Sequence, residues 1–459
     1  MNRHTRREFL ASSVVAAAGA AMPGGVSLMA AQAAGDRPPR AAGVTILNPR
    51  CRVPISLRIE DSTCLVNLAH FSIPRFSEIF PERYKQPWET LPREIPTAFL
   101  RKFAEWCREH GVKGQYSVIP YPACVGRLDR ELPGWSRKDL EECLNLLRND
   151  MVRDWDFHPE LLTHTMAIDT KTGQPYPERS ELFMENWKFS DGKSADELAD
   201  YISYALQILK NVGIRCEGVS CPGSFGRKNQ PALAKAVLQS CRDVFGAEIP
   251  YYVRDYEYED KSVAPRVQYA SGLDGSNPKC VVSTVICTGA WFGGWDGLAP
   301  GSVDKHITED LKGGRLPQVF ARGEPAIMDA FWPSMYMNGE ERGFEILKTV
   351  VGRLREGFDN LVWMKLSEIA RYGAAKELTR IDREGHSVKF TAPFACPAFT
   401  VRVTSPANVT PRLTVEGQTR ELRQAARPLK LQGGNWTRDP EACIVCFDLP
   451  KGVSKVELS

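Results

Sequence analysis

The sequence predicts an α/β barrel followed by a small all-β, sandwich-like domain. Between about residues 45 and 375, strand-like apolar runs alternate with amphipathic helical segments in roughly seven or eight units, which is typical of a parallel barrel. After residue 378 only short strands remain, separated by turns rich in Pro, Gly and Asn. The predicted boundaries are 51–377 for the barrel and 378–459 for the β domain.

Several elements of the barrel have distinct local signals. The run 55–60 reads as a strand, and residues 97–110 carry apolar side chains at helical spacing. Ser194 and Glu197 form a capping box, which predicts a helix that begins there. Asn229 followed by a proline predicts the start of another helix.

The first 34 residues are expected to be an export signal. Arg6-Arg7 form a twin-arginine motif, an apolar run covers residues 11–22, and Ala31-Gln32-Ala33 is a small-residue cleavage pattern. The apolar run is shorter than the roughly 20 residues that span a membrane. We therefore expect a periplasmic or secreted protein that uses the twin-arginine pathway, has no stable membrane span, and continues into a linker at 35–50.

The charge balance disfavours nucleic acid as a partner. The chain of 459 residues has 59 Lys+Arg against 56 Asp+Glu, a net charge of +3, and a nucleic-acid binder normally shows a basic surplus. This balance suits a neutral carbohydrate better. The thirteen cysteines form no spaced framework, and Cys443 and Cys446 are expected to be buried core residues on opposite faces of one strand.

Two strand ends carry groups that suit metal and acid–base chemistry. Glu60 and Asp61 close the first strand, where one acid could bind a cation while the other acts as a base; a plain exit into a loop is the alternative. His158 and His164 flank Glu160 beside a later strand, and imidazoles with a carboxylate form a common divalent-metal set. Structural histidines are the alternative here. Only seven histidines are present, and four are barrel candidates: His70, His158, His164 and His306.

Two further segments could contact a ligand. Cys221 opens a Pro/Gly loop that would let backbone approach a substrate, although a structural turn explains it equally well. Trp332, Tyr336 and Asn338 follow a strand, where aromatic rings suit sugar stacking but also core packing. The aromatic-rich loop 67–96 could wall a cleft.

The order of these elements resembles the polysaccharide deacetylase family, the carbohydrate esterases of family 4, over roughly residues 50–375. Arg58-Ile59-Glu60-Asp61 stands in place of the family's Thr-Phe-Asp-Asp, the segment 158–164 in place of its histidine motif, and Cys221-Pro222-Gly223 in place of Arg-x-Pro-x-Gly. The resemblance implies a distorted (β/α) barrel of seven units.

The resemblance also implies roles for individual residues. Glu60 would be the general base, and Asp61, His158 and His164 would bind a divalent metal, with zinc the expected ion. The sequence departs from the family in having Glu for the basic Asp, a histidine spacing of six rather than four, and no arginine in the third motif. Phe331 stands near the place of the catalytic-acid histidine, so His306 is the candidate acid from another loop.

The leading hypothesis is an exported, metal-dependent carbohydrate deacetylase-like hydrolase with a polysaccharide or oligosaccharide substrate. One alternative is a metal-independent glycoside hydrolase or polysaccharide lyase on the same barrel, using carboxylates such as Glu60, Asp61 or Glu217. The other alternative is a non-catalytic sugar-binding homologue, which the missing acid histidine suggests. Trp332, Tyr336, Asn338 and Cys221 are the expected substrate contacts.

Overall fold

The structure, a computed structural model, describes residues 34–35, 37–406 and 408–459. The predicted export signal lies outside the described residues, apart from its last position. In the described part of the chain, no helix is long and apolar enough to cross a membrane.

Strands and helices alternate between residues 53 and 378, and strands dominate afterwards. The strands are β1 (Ala34–Gly35), β2 (Val44–Ile46), β3 (Val53–Glu60), β4 (Gly114–Ser117), β5 (Trp155–His158), β6 (Ile168–Asp169), β7 (Gln174–Pro175), β8 (Gly218–Ser220), β9 (Tyr251–Tyr256), β10 (Arg266–Ser271), β11 (Lys279–Ile286), β12 (Ala326–Phe331), β13 (Leu361–Trp363), β14 (Arg380–Glu384), β15 (Ser387–Ala392), β16 (Cys396–Thr404), β17 (Pro411–Val415), β18 (Gln418–Glu421), β19 (Arg423–Gln424), β20 (Asn435–Asp439), β21 (Ala442–Leu449) and β22 (Gly452–Leu458). The helices are α1 (Leu68–Ile79), α2 (Thr97–Glu109), α3 (Arg137–Asn145), α4 (Ala195–Asn211), α5 (Gln230–Phe245), α6 (Val303–His306), α7 (Arg315–Ala321), α8 (Trp332–Tyr336), α9 (Arg342–Gly357) and α10 (Leu366–Leu378).

The strands of the α/β region form two sheets rather than one continuous closed ladder. Parallel strands β12, β3, β4 and β5 make the first, with β13 also paired to β3, and the second has the order β1-β10-β11-β9-β8. Two isolated parallel bridges connect the β5 region to the β8 region, and Cys287 N–H donates to Ile327 O across 2.9 Å beside β12. The predicted parallel α/β architecture is confirmed, but the ladder is interrupted at both of these seams and β10 runs antiparallel to β11.

Alternation along β3 separates a helix-facing side from an interior side. Ile55, Leu57 and Ile59 belong to the main apolar core, with helix α2 packed against the same core. Arg58 and Glu60 alternate with them and therefore point to the other side of the strand. The charged end of β3 is thus directed into the space that the strands enclose.

The predicted helix starts are present with the expected caps. Ser194 and Glu197 form a reciprocal capping box at α4, and the Asn229 side chain accepts from Ala232 N–H at α5. Helices α4 and α5 bury their apolar faces in the main core. The propensity signals were sufficient here because local caps and apolar spacing agree.

The C-terminal β region consists of two five-stranded sheets, with the orders β14-β15-β22-β17-β18 and β19-β20-β21-β16-β2. The all-β prediction is confirmed. Strand β2 lies within the range predicted as a linker and pairs with β16. Cys443 and Cys446 on β21 belong to different apolar clusters, as strand alternation requires, and neither forms a disulfide.

Gly114 allows β4 to lie close to β3, so Gly114→Ala is expected to destabilise the protein. A Cβ at this position would lie 1.7 Å from Leu57 O, and forced overpacking costs roughly 1–3 kcal/mol. Gly352 on α9 is the matched control, since its Cβ would meet nothing within 4 Å and alanine should stabilise the helix by about 0.5–1 kcal/mol. Chemical denaturation followed by tryptophan fluorescence measures both, and equal midpoints for the two variants would contradict this role of Gly114.

Candidate active site

Three strands of the first sheet, β12, β3 and β5, bring charged side chains to the interior of the α/β region. Arg58 on β3 is the register partner of Asp329 on β12, and β4 lies between β3 and β5. Glu160 follows β5 and forms a parallel bridge with Ser220 at the end of β8. Asp61 directly follows β3 with a left-handed φ of 54°, so its side chain leaves the strand's alternation. The site forms where the carboxyl ends of parallel strands converge.

Arg58 is the centre of a buried network of charged groups. Arg58 is only 1% exposed. Its Nη1 donates to Glu60, to Asp329 Oδ1 at 3.1 Å and to the Tyr256 hydroxyl at 2.5 Å. Its Nη2 lies 3.5 Å from Glu160 Oε1. One guanidinium therefore contacts three carboxyl groups, one on β3, one on β12 and one just after β5.

The network separates the pKa values of its carboxyl groups. Burial raises the pKa of Glu60, but the Arg58 charge and hydrogen bonds outweigh burial and lower that pKa to about 2. Burial, and then the Glu60 charge, raise the pKa of Asp329 and of Glu160 well above their ordinary values. Glu60 is therefore the ionised member, while Asp329 and Glu160 retain protons more readily.

Asp61, Glu160 and His164 form a buried group that could hold a metal ion. One ligand atom from each lies within 4.8 Å of the other two. His164 Nε2 is 3.0 Å from Asp61 Oδ1, and its Nδ1 is 3.8 Å from Glu160 Oε1. Asp61 N–H also donates to Glu160 Oε2 at 2.9 Å, which fixes the two acids relative to each other. We call these three residues the metal group.

The chemistry of the metal group fits a divalent ion. Burial lowers the pKa of His164 to about 4, so the imidazole is neutral, as metal binding requires. His164 Nδ1 is buried without a hydrogen bond to any described residue. Ligands at about 2.0–2.2 Å from one zinc ion lie at most about 4.4 Å apart, so a small side-chain movement would complete such a site.

Glu185 positions the loop that carries His164. Its carboxylate accepts from Thr163 N–H at 3.0 and 3.1 Å and from His164 N–H at 2.7 Å, and the Tyr201 hydroxyl donates to it. His164 has a φ of 61° and Leu161 a φ of 49°; such left-handed residues are costly unless surrounding contacts hold them. Glu185 therefore fixes the backbone of a candidate ligand, His164, without being in the metal group.

His158, the other predicted ligand, lies on β5 outside the metal group, and Glu160 stands in its place. His158 Nδ1 is 3.3 Å from Ser220 Oγ, and its ring packs edge-on against Tyr251. A Cβ on Gly218 would lie 2.5 Å from His158 Nε2. Because His158 and Glu160 alternate to the same side of the chain, the sequence could not decide which of them reaches the metal group.

His306, the predicted acid, is packed among aromatic rings. Its ring centroid lies 4.2 Å from that of Phe292 and 5.4 Å from that of Trp291. Burial lowers its pKa to about 3, so the protonated form that an acid needs is scarce at neutral pH. The structure therefore disfavours a proton-donating role for His306.

The predicted substrate contacts are only partly available. Trp332 is 1% exposed because its ring packs against Phe99, Phe103 and Tyr116, so it belongs to the core and offers no face to a sugar. Tyr336 is half-buried and also packs on Phe99.

Asn338 is exposed, with a left-handed φ of 56°. Cys221 is buried, and burial raises its thiol pKa to about 12. Glu217 precedes β8, at the opposite end of that strand from Ser220, and pairs with Arg215 at 3.2 Å. It therefore lies away from the metal group.

A different set of aromatic rings lies next to the loop that carries His164. Ring centroids in this set are 5.0–6.0 Å apart, and its tryptophans are half-buried. Met166, two residues after His164, bridges to Met184 in the segment that carries one of the tryptophans. This aromatic cluster consists of Phe76, Phe80, Tyr84, Trp187 and Trp295. Its first three members come from the segment 67–96, which was predicted to be a loop that walls a cleft. The loop prediction was wrong for Leu68–Ile79, which form helix α1 and carry Phe76.

Sequence reasoning noted Glu160 between the two histidines without assigning it as a ligand, and it missed Asp329 and Glu185 as site residues. A signal was present for Glu160, which lies four residues before His164, the histidine spacing that the resemblance led us to expect. Asp329 lies two residues before Phe331, the residue near the expected place of the catalytic-acid histidine, and therefore points to the same side of β12. Nothing local marks Glu185, whose contacts with the loop depend on the tertiary fold.

Comparisons with known proteins find only weak structural likenesses. No protein-family profile and no curated protein matches the sequence. The chain is similar to a "putative polysaccharide deacetylase" from Mycobacterium smegmatis, at 14% identity over 76% of this chain and 98% of that chain, with a TM-score of 0.41. It is also similar to a 4-alpha-glucanotransferase from Thermococcus litoralis, at 15% identity over 69% of this chain and 40% of that chain, with a TM-score of 0.34. An alpha-fucosidase from Thermotoga maritima is similar at 11% identity over 89% of this chain and 97% of that chain, with a TM-score of 0.30. Likenesses this weak establish neither a family nor an activity for this chain.

Substitutions at Glu160 and His158 distinguish the two possible metal groups. Glu160→Gln is expected to weaken Zn²⁺ or Co²⁺ binding by at least about tenfold, because it removes a charged ligand, whereas His158→Gln should leave the affinity within about threefold. Isothermal titration of the metal-free protein measures both. The reverse order of effects would show that His158, not Glu160, is the ligand.

Proposed function

We propose that this protein is a metal-dependent hydrolase that removes acyl groups from a carbohydrate. The single observation that carries the proposal is the metal group, two carboxylates and a neutral imidazole buried together at the carboxyl ends of β3 and β5. Buried carboxylates are costly unless they are paired or coordinate a metal, and a divalent cation bound here would compensate both Asp61 and Glu160.

In this proposal Asp61, Glu160 and His164 hold the ion, and zinc fits the mixed oxygen and nitrogen donor set. A divalent ion bound there would polarise an acyl carbonyl and make a water more acidic. The positions of the ligands are supported by Glu185, which fixes the His164 backbone. Such outer contacts commonly orient metal ligands.

Two carboxyl groups beside the metal group suit the acid and base roles. Glu60, kept ionised by Arg58, is the proposed base and accepts a proton from water. Asp329 is the proposed acid in place of His306, since its raised pKa keeps a proton available, and its Oδ2 is buried without a partner among the described residues. Environments that push two carboxyl pKa values apart are a recurrent way to assign such roles.

A carbohydrate substrate is supported by the aromatic cluster beside the His164 loop. Half-buried tryptophans present flat apolar surface with a polar edge, which suits a sugar ring. The twin-arginine motif of the sequence supports export, so the proposed substrate is an extracellular or envelope polysaccharide or an oligosaccharide derived from it. The barrel range 51–377 would carry the chemistry.

One observation favours a second candidate, a metal-independent glycoside hydrolase. Glycosidases use two carboxyl groups, one ionised and one protonated, and Glu60 and Asp329 show that division. Cleavage of a glycosidic bond that persists in a strong chelator would favour this candidate over the metal-dependent hydrolase.

Acetate release from acetylated oligosaccharides tests the proposal directly. Metal content and turnover are measured together for the wild type and for Asp61→Asn, with Asp154→Asn, a change outside the metal group, as the control. The wild type should release acetate only with metal, and Asp61→Asn should lose metal and turnover. Unchanged metal content and turnover in Asp61→Asn would contradict the proposal.

The acid role predicts a specific defect in Asp329→Asn. This variant should bind metal normally but lose roughly 10²–10⁴ in kcat, the usual contribution of a positioned acid or base. A substrate with a good leaving group, which needs no proton, should recover most of that loss. An equal defect on both substrates would mean that Asp329 acts only by holding Arg58.

The same role fixes the sign of the pH dependence. Asp329 must be protonated to act, so activity should fall on the alkaline side as pH rises through its raised pKa. Glu60 must be ionised, so its lowered pKa places loss of activity on the acid side near pH 2, beyond any ordinary assay range. A pH profile of kcat/KM that rises steadily into alkaline conditions would contradict the assignment.

A further inference from the structure

Arg254 is a buried arginine on β9 with no hydrogen bond or ion pair to any described residue, and it lies at the same end of the sheet as the metal group. It is 6% exposed, and its Nε is buried without a hydrogen bond to the part of the chain that the structure describes. Unlike Arg58, it forms no ion pair with any of the described residues. Taking a guanidinium out of water is unfavourable unless a counter-ion or hydrogen bonds replace the solvent, so this residue calls for an explanation.

Strand pairing places Arg254 at the same end of the sheet as the metal group. Glu160 bridges to Ser220 at the end of β8, and Ser220 is the register partner of Val253 on β9. Arg254 is the next residue and therefore lies one step further toward the carboxyl ends of the strands. Neighbouring strands are about 4.8 Å apart, so two strand spacings separate the backbones of Arg254 and Glu160.

Arg254 lies at a β-bulge. The register between β9 and β11 shifts after Val253, so that Thr284 pairs with Val253 and Val285 with Asp255. Arg254 is the extra residue at this shift. Bulges re-aim a side chain and occur frequently beside active sites.

The neighbouring acid does not neutralise Arg254. Asp255 accepts from Gln230 at 3.3 Å and pairs with Arg266 at 3.5 Å. The hydroxyl of Tyr252, two residues before Arg254 on the same strand, is likewise buried without a partner among the described residues. Burial raises the pKa of the Tyr252 hydroxyl and of the Cys221 thiol, and the Arg254 charge partly offsets both increases.

We propose that Arg254 binds a carboxylate of the saccharide substrate, so that the substrate carries an acidic sugar such as a uronic acid. A single guanidinium matches a monoanionic carboxylate in charge and in its two-pronged geometry. The substrate class rests on the proposed function, whereas anion binding at Arg254 does not. The near-zero net charge of the chain does not oppose this, because recognition depends on one local charge.

A pair of matched oligosaccharides tests the proposal. One contains alternating glucuronate and N-acetylglucosamine, and the other is the same chain with each glucuronate reduced to glucose. Isothermal titration should show that the wild type binds the acidic chain roughly 10- to 100-fold more tightly, the ratio expected for one charged hydrogen-bonded pair. Equal affinities would overturn the proposal.

Variants separate recognition from a structural role. Arg254→Met should abolish the preference without lowering the thermal midpoint, because Arg254 has no ion pair or hydrogen bond among the described residues that the variant would lose. Arg254→Lys should retain only part of the preference, since it keeps the charge without the fork. Arg266→Met is the control and should keep the whole preference. A preference that survives in both Arg254 variants would overturn the proposal, as would one lost equally in Arg266→Met.

Two further arms separate this proposal from others. Acetate, the product of the proposed reaction, should bind far more weakly than the acidic chain. Equal affinity would mean that Arg254 binds the product, and it would overturn the proposal that Arg254 binds a carboxylate of the saccharide. Asp61→Asn should lose metal and turnover but keep the preference for the acidic chain. If the wild type shows turnover but no preference for the acidic chain, only the role of Arg254 is refuted. If the wild type shows the preference but no turnover, only the hydrolase proposal is refuted.

Discussion

The buried guanidinium of Arg58 is the interaction on which the rest of the site depends. It holds carboxylates from β3, from the end of β5 and from β12, and so links three strands of one sheet through charge as well as through backbone pairing. Removing one partner from a buried ion pair typically costs about 3–5 kcal/mol, because the remaining charge has no compensation. Arg58 is therefore as much a structural requirement as a functional one.

One arginine does not neutralise four buried acids. Glu60, Asp61, Glu160 and Asp329 all lie around this network, and burial raises the pKa of the last three. Protons provide the balance in the absence of a cation, and a divalent ion at the metal group would displace them from two of these acids. The same excess of negative charge explains why one carboxyl can stay protonated beside an ionised one. The acid–base division and the metal group are thus two consequences of one charge imbalance.

Local sequence signals predicted the parts of the fold that local physics controls. The capping box at Ser194 and the apolar face of α2 are set by neighbours along the chain, and both are present. Interruption of the strand ladder at two seams depends on how distant strands meet, for which the sequence has no local signal. Trp332 illustrates the same limit, since its burial comes from α2 packing across it rather than from anything in its own segment.

The candidate site was predictable to the level of strand ends but not of individual atoms. Asp61 and His164 were identified because acids and histidines at such positions are few, and the structure brings these two into contact. His158 and Glu160 are two residues apart and point to the same side of the chain. They differ only in how far each lies along the strand direction, His158 within β5 and Glu160 just beyond its end. Glu185 and Arg254 act through tertiary contacts and register, which a single sequence does not display.

The most direct test of the central claim is anomalous diffraction from crystals of the zinc-loaded protein, recorded on both sides of the zinc absorption edge. The account predicts one strong peak within about 2.0–2.2 Å of Asp61, Glu160 and His164, with His158 outside the coordination sphere. A peak coordinated by His158 instead of Glu160, or no peak at this end of β3 and β5, would contradict it.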